Sequence, residues 1–163
     1  MNGKAVAGIL VVLGLVIVVT SFQYQGGQEE LKLKVLRVVK GDDAIEMVKS
    51  IHIGSFDVKS AAVVELEGIG KIRVWVAYAD SPSTAQNLVE RMKDKVDMYF
   101  SKPEIVDMGG LKAYRVFGNG RTHYFFSFQN RVVWVEFSNS NPEYHAKVIR
   151  YLFGEGGMEK YIN

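Results

Sequence analysis

Apolar and polar residues alternate at every second position along much of this chain, which is the period of a strand with one buried face. Short stretches rich in Gly, Pro and Asn interrupt the alternation and mark turns. The tightest of them, Gly68-Ile69-Gly70, predicts a hairpin. The pattern predicts seven strands, at residues 31–35, 58–67, 71–79, 105–108, 111–117, 122–128 and 132–137.

A spacing of three to four residues replaces the alternation in three places and predicts helices there. The first covers residues 43–53 behind Asp42, the second runs from Asp80-Ser81-Pro82 to Pro103, and the third covers 141–154, followed by a tail. Hairpins make neighbouring strands antiparallel, and amphipathic helices must cover a sheet face. We therefore expect an α+β fold, a twisted antiparallel sheet of six to seven strands with about three packed helices.

The segment from Ala5 to Phe22 differs from the rest because it is almost entirely apolar and carries no charge. Its 18 residues would form about 27 Å of helix at ~1.5 Å per residue, the thin end of what crosses a bilayer. A helix that is apolar on every side suits lipid, so we predict one N-terminal transmembrane helix. Residues 1–22 are then the membrane anchor, 23–30 a polar linker, and 31–163 a single extracytoplasmic domain.

Three kinds of processing fit this N-terminal segment. An uncleaved signal anchor would keep Lys4 inside the cell and place the domain outside. A cleaved signal peptide would end near Val19-Thr20-Ser21. A pilin-type leader would be cut before Val6, because Lys4-Ala5-Val6 is similar to the basic-small-apolar site of archaeal pilin precursors, and its helix would then pack in a filament.

Composition excludes several classes of function. Lys plus Arg number 20 against 18 for Asp plus Glu, and no basic run occurs, so we expect no nucleic acid partner. The chain has no cysteine, which excludes disulfides, thiolate metal sites and cysteine nucleophiles. Hydrophobic residues make up 48% and charged residues 23%, as in a globular domain with its own core.

The sequence also carries no catalytic signature. The histidines, His52, His123 and His145, each stand alone, and no Gly-x-Ser-x-Gly elbow occurs. The Gly-x-Gly pairs lie in hairpin turns and lack the helix start that a phosphate-binding loop needs. Asp42-Asp43 is explained by a helix N-terminus. We expect a protein that is not an enzyme, with no catalytic site, metal site, cofactor or small-molecule substrate.

Strand alternation sorts the sheet into two faces. The first is aliphatic and predicts the core, formed by Ala62, Val64, Leu66, Ile72, Val74, Val76, Val133, Val135 and Phe137. The second mixes aromatic and charged residues, and if the register carries across the meander its candidate partner-binding residues are Glu65, Arg73, Trp75, Trp134, Glu136, His123 and Phe125. Rigid aromatics beside arginine favour contact with a protein. A covering helix or a small ligand would explain the same residues.

From Trp75 onward, the layout resembles the PsbP-like fold of photosystem extrinsic proteins and their non-photosynthetic relatives. The shared features are a strand, Asp80-Ser81-Pro82, a helix, Pro103-Glu104, and then Gly109-Gly110-Leu111-Lys112-Ala113-Tyr114. The resemblance covers roughly residues 75–153, and the helix at 43–53 replaces the usual N-terminal strands of the family. It implies an extracytoplasmic, non-enzymatic accessory module that stabilises a larger assembly.

Together, these patterns predict a single-pass protein of the cell membrane, held there by residues 5–22. Its extracytoplasmic domain is expected to dock to a protein partner or an envelope complex. The alternative is a pilin-like structural subunit that self-assembles into a surface filament, with the hydrophobic helix packed in the filament core.

Overall fold

Seven strands and four α-helices make up the part of the chain that the computed structural model describes, residues 31–51 and 58–162. In chain order they are β1 (Lys34–Lys40), α1 (Asp42–Ile51), β2 (Ala61–Gly68), β3 (Gly70–Tyr78), α2 (Pro82–Lys93), β4 (Glu104–Asp107), β5 (Lys112–Gly118), β6 (Arg121–Phe128), β7 (Arg131–Phe137), α3 (Pro142–Ile149) and α4 (Glu159–Ile162). A 3-10 turn at Val96–Met98 follows α2, and a π-helical turn at Arg150–Gly154 follows α3.

All seven strands lie in one antiparallel sheet with the order β1-β2-β3-β7-β6-β5-β4. Tight connections join β2 to β3, β4 to β5, β5 to β6 and β6 to β7, where the turn residues predicted them. The pairing of β3 with β7 joins distant parts of the chain, from Ile72 opposite Phe137 to Tyr78 opposite Arg131. The predicted α+β class and antiparallel sheet are confirmed.

The first face of the sheet forms the larger core. All of the apolar residues predicted for this face are buried. They are covered by α3, the π-helical turn, α4 and the residue that precedes α4. The side chains contributed are Val148, Ile149, Leu152, Phe153, Met158 and Ile162. Burying such a side chain contributes about 1.5–3 kcal/mol, so this layer accounts for much of the stability of the fold.

The second face carries a second apolar core beneath α1 and α2. The helices contribute small side chains, Ala44 and Val48 from α1 and Ala85 and Val89 from α2. The sheet contributes further valines, Val63 and Val116, and the larger rings of Trp75, Tyr114 and Phe125. The sheet is therefore covered by helices on both faces.

Side-chain caps explain where α2 and α3 begin. The Oγ of Ser81 accepts a hydrogen bond from the Thr84 N–H at 3.1 Å, and Pro82 occupies the first turn. The Oδ1 of Asn141 accepts from the N–H groups of Glu143 and Tyr144, both at 3.1 Å. Both helix starts were predicted from these residue types.

The bounds of two predicted elements differ most from the observed ones. The first strand begins at Lys34 because Leu31 and Leu33 pack against the core without joining the ladder. The second helix ends at Lys93, and the chain then turns through the 3-10 segment. Beyond this segment Tyr99 is 67% exposed, whereas Phe100 packs against the second core.

The predicted tail is also structured. After Gly154 the chain folds back and forms α4, and both Met158 and Ile162 are buried in the first core. The sequence predicted only a tail here, because a helix of a single turn shows too little periodicity to be recognised.

The predicted anchor and linker, residues 1–22 and 23–30, lie outside the described residues. Residues from Leu31 onward form one compact unit. Within 31–51 and 58–162, the structure contains no helix with both the length and the apolarity to cross a membrane.

Candidate functional site

The sheet register places the predicted site residues in two neighbouring rows on the second face. The first row, which we call the aromatic row, consists of the direct cross-strand partners Trp75, Trp134 and Phe125. The second row lies closer to the β2–β3 turn and consists of Glu65, Arg73, Glu136 and His123. The register therefore carries across the meander, and the structure brings together every residue that alternation placed on this face.

Burial corrects the predicted role of three of these residues. Trp75, Phe125 and His123 are only 6%, 0% and 3% exposed. The helices α1 and α2 cover the aromatic row, and Phe125 stacks on the half-buried Trp134 with ring centres 5.3 Å apart. These three side chains belong to the second core and have no free surface for a partner. A covering helix, one of the alternatives open at the sequence level, explains them.

His123 is held as a neutral ring by its neighbours. The indole N–H of Trp134 donates to Nδ1 at 3.2 Å, so the proton lies on Nε2, which donates to the Gly118 carbonyl at 3.2 Å. Burial lowers the pKa of His123 below its usual range, although Glu136, with a carboxylate oxygen 3.9 Å away, favours the charged ring. Because the Nδ1 lone pair is occupied, the imidazole serves as a structural hydrogen-bonding group.

The remaining charged residues form a strip toward the β2–β3 turn that we call the charged margin: Glu65, Arg73, Glu136 and Arg121. The Nε of Arg73 lies 2.9 Å from Glu65 Oε1, and Nη1 of Arg121 lies 2.9 Å from Glu136 Oε1. The guanidinium of Arg73 also lies over the ring of Trp75, 5.5 Å from its centre. Such partly exposed pairs contribute about 0–1 kcal/mol each, so they arrange the surface more than they stabilise it.

The charges alternate in sign from strand to strand. Outward from β7, the row of the charged margin contains Glu136, Arg73, Glu65 and Arg37. The next row outward from β3 contains Lys71, Glu67 and Lys34. Both rows end at β1 with a basic residue. The alternation did not predict this arrangement, because it placed the first strand at residues 31–35 and the structure places β1 at Lys34–Lys40.

The outer side of β1, which we call the open edge, carries a cluster of exposed aliphatic side chains. β2 pairs with one side of β1, and no described strand pairs with the other. Val35, Leu36 and Val38 are 39%, 43% and 38% exposed. The ladder shifts between Val35 and Arg37, so Leu36 is the extra residue of a bulge.

The opposite edge of the sheet is better protected. β4 has only four residues, carries Glu104 and Asp107 at its ends, and follows Pro103. Its most exposed aliphatic residue is Ile105. Short, charged edge strands next to proline discourage pairing with other chains. The two edges therefore differ in how readily they accept a further strand.

His145 on α3 is a second buried histidine, and its hydrogen-bonded surroundings could not be predicted from its isolated position in the sequence. It is 1% exposed and stacks on Phe137, with ring centres 4.0 Å apart. Its Nδ1 lies 3.0 Å from the hydroxyl of Tyr124, and its Nε2 lies 2.9 Å from Asn139 Oδ1. Burial lowers the pKa of His145 to about 4. The network joins β6, the loop after β7 and α3 through one neutral ring.

Comparison with known proteins adds little to this description. No family model and no curated protein matches the chain. Among solved structures, the chain is similar to a GTP-binding regulator from Thermotoga maritima, with 18% identity, 76% of this chain and 78% of that chain covered, and a TM-score of 0.42. A likeness at this level carries no information on function.

Proposed function

We propose that this chain is a membrane-anchored, non-enzymatic binding module whose extracytoplasmic domain docks to a protein partner or an envelope complex. The observation that carries the proposal is the open edge, a seven-residue strand with three exposed aliphatic side chains. The unpaired backbone groups of a sheet edge form hydrogen bonds with another extended segment, and the side chains then supply specificity. We therefore propose β1 as the docking surface in place of the aromatic row.

The hydrophobic segment at residues 5–22 supplies the membrane part of the proposal. Its unbroken apolar character and the preceding Lys4 favour insertion with the N-terminus inside. An anchored domain meets a membrane-bound partner at a high effective concentration, so even a modest affinity at the open edge suffices. The resemblance to the PsbP-like fold supports an accessory role of this kind.

Photocrosslinking in living cells tests the docking surface. The full chain with benzoylphenylalanine in place of Leu36 should give a discrete crosslinked product with another protein. The same photoreactive residue in place of Ile105 is the matched control, since both positions are exposed aliphatics on edge strands. No product from position 36, or equal products from both positions, would contradict the proposal.

Cell fractionation tests the anchor. The full chain should stay with membranes after an alkaline carbonate wash, and protease added outside spheroplasts should digest the domain. Replacing Leu13 and Val16 with Lys should move the chain to the soluble fraction, because a charge at the bilayer centre costs about 2.5–3.5 kcal/mol per residue. A native chain found in the cytosol would contradict this part of the proposal.

A pilin-like structural subunit is the second candidate function, and the sequence Lys4-Ala5-Val6 favours it. Its hydrophobic helix would pack against copies of itself in a filament core. Mass spectrometry of the mature N-terminus separates the two candidates. A mature chain that begins at Val6 would favour the filament subunit, whereas an intact Met1 would exclude it.

A further inference from the structure

The charges around β1 indicate which kind of segment the open edge accepts. We propose that the open edge takes an extended segment of a partner protein in which carboxylate side chains alternate with aliphatic ones. This inference rests on the proposed function and specifies the partner of the same surface.

The charged rows of the second face provide the first part of the argument. Signs alternate across neighbouring strands, and the rows end at β1 on Arg37 and Lys34. β1 itself contains three basic residues and no acidic one. Opposite charges directly across a strand pair contribute about 0.2–1 kcal/mol, and like charges destabilise the pair. A strand added to β1 therefore continues the alternation only if its acids face these two cations.

The first face provides the second part. Val38 extends the buried row of Val64, and Val35 extends the buried row of Leu66. Both valines nevertheless remain more than a third exposed. Aliphatic side chains on an added strand would remove their surface from water, at roughly 25 cal/mol per Å². Because side chains alternate between faces, the added segment must alternate acidic and aliphatic residues.

A second copy of β1 does not have this chemistry. In an antiparallel pairing of two such strands centred on Arg37, Arg37 would face the Arg37 of the other copy. No other register offers a carboxylate, because β1 contains none. Basic residues on edge strands are a common protection against this kind of self-pairing. Charge complementarity therefore selects an acidic strand from a different protein.

Synthetic peptides test the inference with the full chain in detergent micelles. A fluorescein-labelled peptide of about ten residues that alternates Glu and Val should bind at least tenfold more tightly than one that alternates Lys and Val. A third peptide keeps the glutamates and replaces the valines with Pro, which removes the backbone donors that a ladder needs. Equal binding of the Glu–Val and Glu–Pro peptides would show that charge attraction alone accounts for binding, without strand pairing, and would overturn the inference.

Variants of β1 locate the site. Arg37→Glu should weaken binding of the Glu–Val peptide about tenfold and shift the preference toward the Lys–Val peptide. Arg37→Glu also places a carboxylate opposite Glu65 and could disturb the fold. Arg37→Gln removes the positive charge without this repulsion, and it should weaken peptide binding less than Arg37→Glu does. Lys102→Glu is the matched control, because Lys102 is exposed beside the opposite edge, and it should change affinity by less than about twofold. Equal losses from Arg37→Glu and Lys102→Glu would refute the location.

The outcomes separate this inference from the proposed function. A crosslink at position 36 in cells with no preference for the acidic peptide would leave the docking function standing and overturn the inference. A preference for the acidic peptide with no crosslink in cells would support the edge chemistry and remove the docking function. A dimer of the chain that Leu36→Lys dissociates would make the occupant a second copy and also overturn the inference.

Discussion

At the scale of single residues, burial decides what the histidines do. His145 stacks on Phe137 and exchanges hydrogen bonds with Tyr124 and Asn139, so the fold holds the neutral ring. Burial is the main cause of its lowered pKa, and the nearby Arg115 guanidinium acts in the same direction. His123 is likewise buried and neutral beneath Phe100. Both rings stabilise the fold only while they are uncharged.

We expect the free energy of unfolding to fall as the pH drops from 6.5 toward 4. Over this range the unfolded chain binds a proton at His145, whose ordinary pKa is about 6.5, and the folded chain does not, because its pKa is about 4. The stabilisation is complete above pH 6.5 and is lost on acidification, by up to about 3 kcal/mol. Urea unfolding at several pH values measures this loss.

His145→Gln is the control for that titration. It removes the titrating group and keeps hydrogen-bonding capacity, so stability should depend less on pH than in the native chain. Some dependence should remain, because the pKa of His123 is shifted in the same direction. Identical pH profiles for the two chains would show that His145 does not titrate in this way.

Trp75→Ala should destabilise the domain by about 3–5 kcal/mol, because it removes a large ring from a closed core. Ile69→Ala, at a position that is 57% exposed, should cost less than about 0.5 kcal/mol. Urea unfolding of both variants makes the comparison. A small effect of Trp75→Ala on the free energy of unfolding would indicate that Trp75 is accessible and could contact a partner.

At the scale of elements, the β2–β3 turn is tied to α3. The hydroxyl of Tyr144 accepts a hydrogen bond from the Ile69 N–H at 2.9 Å. This approach needs the absence of a side chain at Gly68, where a Cβ would collide with the Tyr144 hydroxyl. A hairpin turn and a helix far apart in sequence are thus held together by one glycine and one tyrosine.

Gly68→Ala should therefore destabilise the domain by about 1–3 kcal/mol through overpacking. Adding Tyr144→Phe removes the colliding oxygen, so the double variant should recover part of the loss relative to the sum of the single variants. Gly120→Ala is a contrast, because its Cβ would meet open space and only the positive φ of 70° opposes it, at about 1 kcal/mol. Strict additivity of Gly68→Ala and Tyr144→Phe in urea unfolding would contradict the collision.

At the scale of the whole molecule, the chain end closes the first core. Met158 is fully buried, and the preceding Gly157 packs against Tyr151 of the π-helical turn. The Nη1 of Arg131, at the start of β7, lies 2.6 Å from Glu159 Oε1 and brings α4 to the sheet. Sheet, turn and terminal helix therefore depend on one another.

Met158→Ala should cost about 2–5 kcal/mol, as expected for a buried methionine in a packed core. If the C-terminal residues were an irregular tail, the same change would cost less than about 0.5 kcal/mol. Met98→Ala, at a position that is 60% exposed, is the matched control. Thermal unfolding of the two variants distinguishes a packed chain end from a loose one.

Much of the fold could be predicted because it depends on local patterns. Alternation identified the strands and the aliphatic first face, turn residues identified the β2–β3 hairpin, and Ser81 and Asn141 marked two helix starts. These features follow from side-chain period, backbone sterics and hydrogen bonds between near neighbours. The same hairpin places Glu65 opposite Arg73.

Contacts between distant segments decided the rest. Alternation can place Trp75 and His123 on one face, but it cannot show that α1 and α2 cover that face, because a mixed aromatic and charged row suits either a core or a surface. The same limit hid the buried network of His145 and the edge position of β1. The sequence by itself determined which residues share a face, since that is a property of the strand. Only the tertiary structure decided which face is covered and which edge stays open, since burial depends on elements that are remote along the chain.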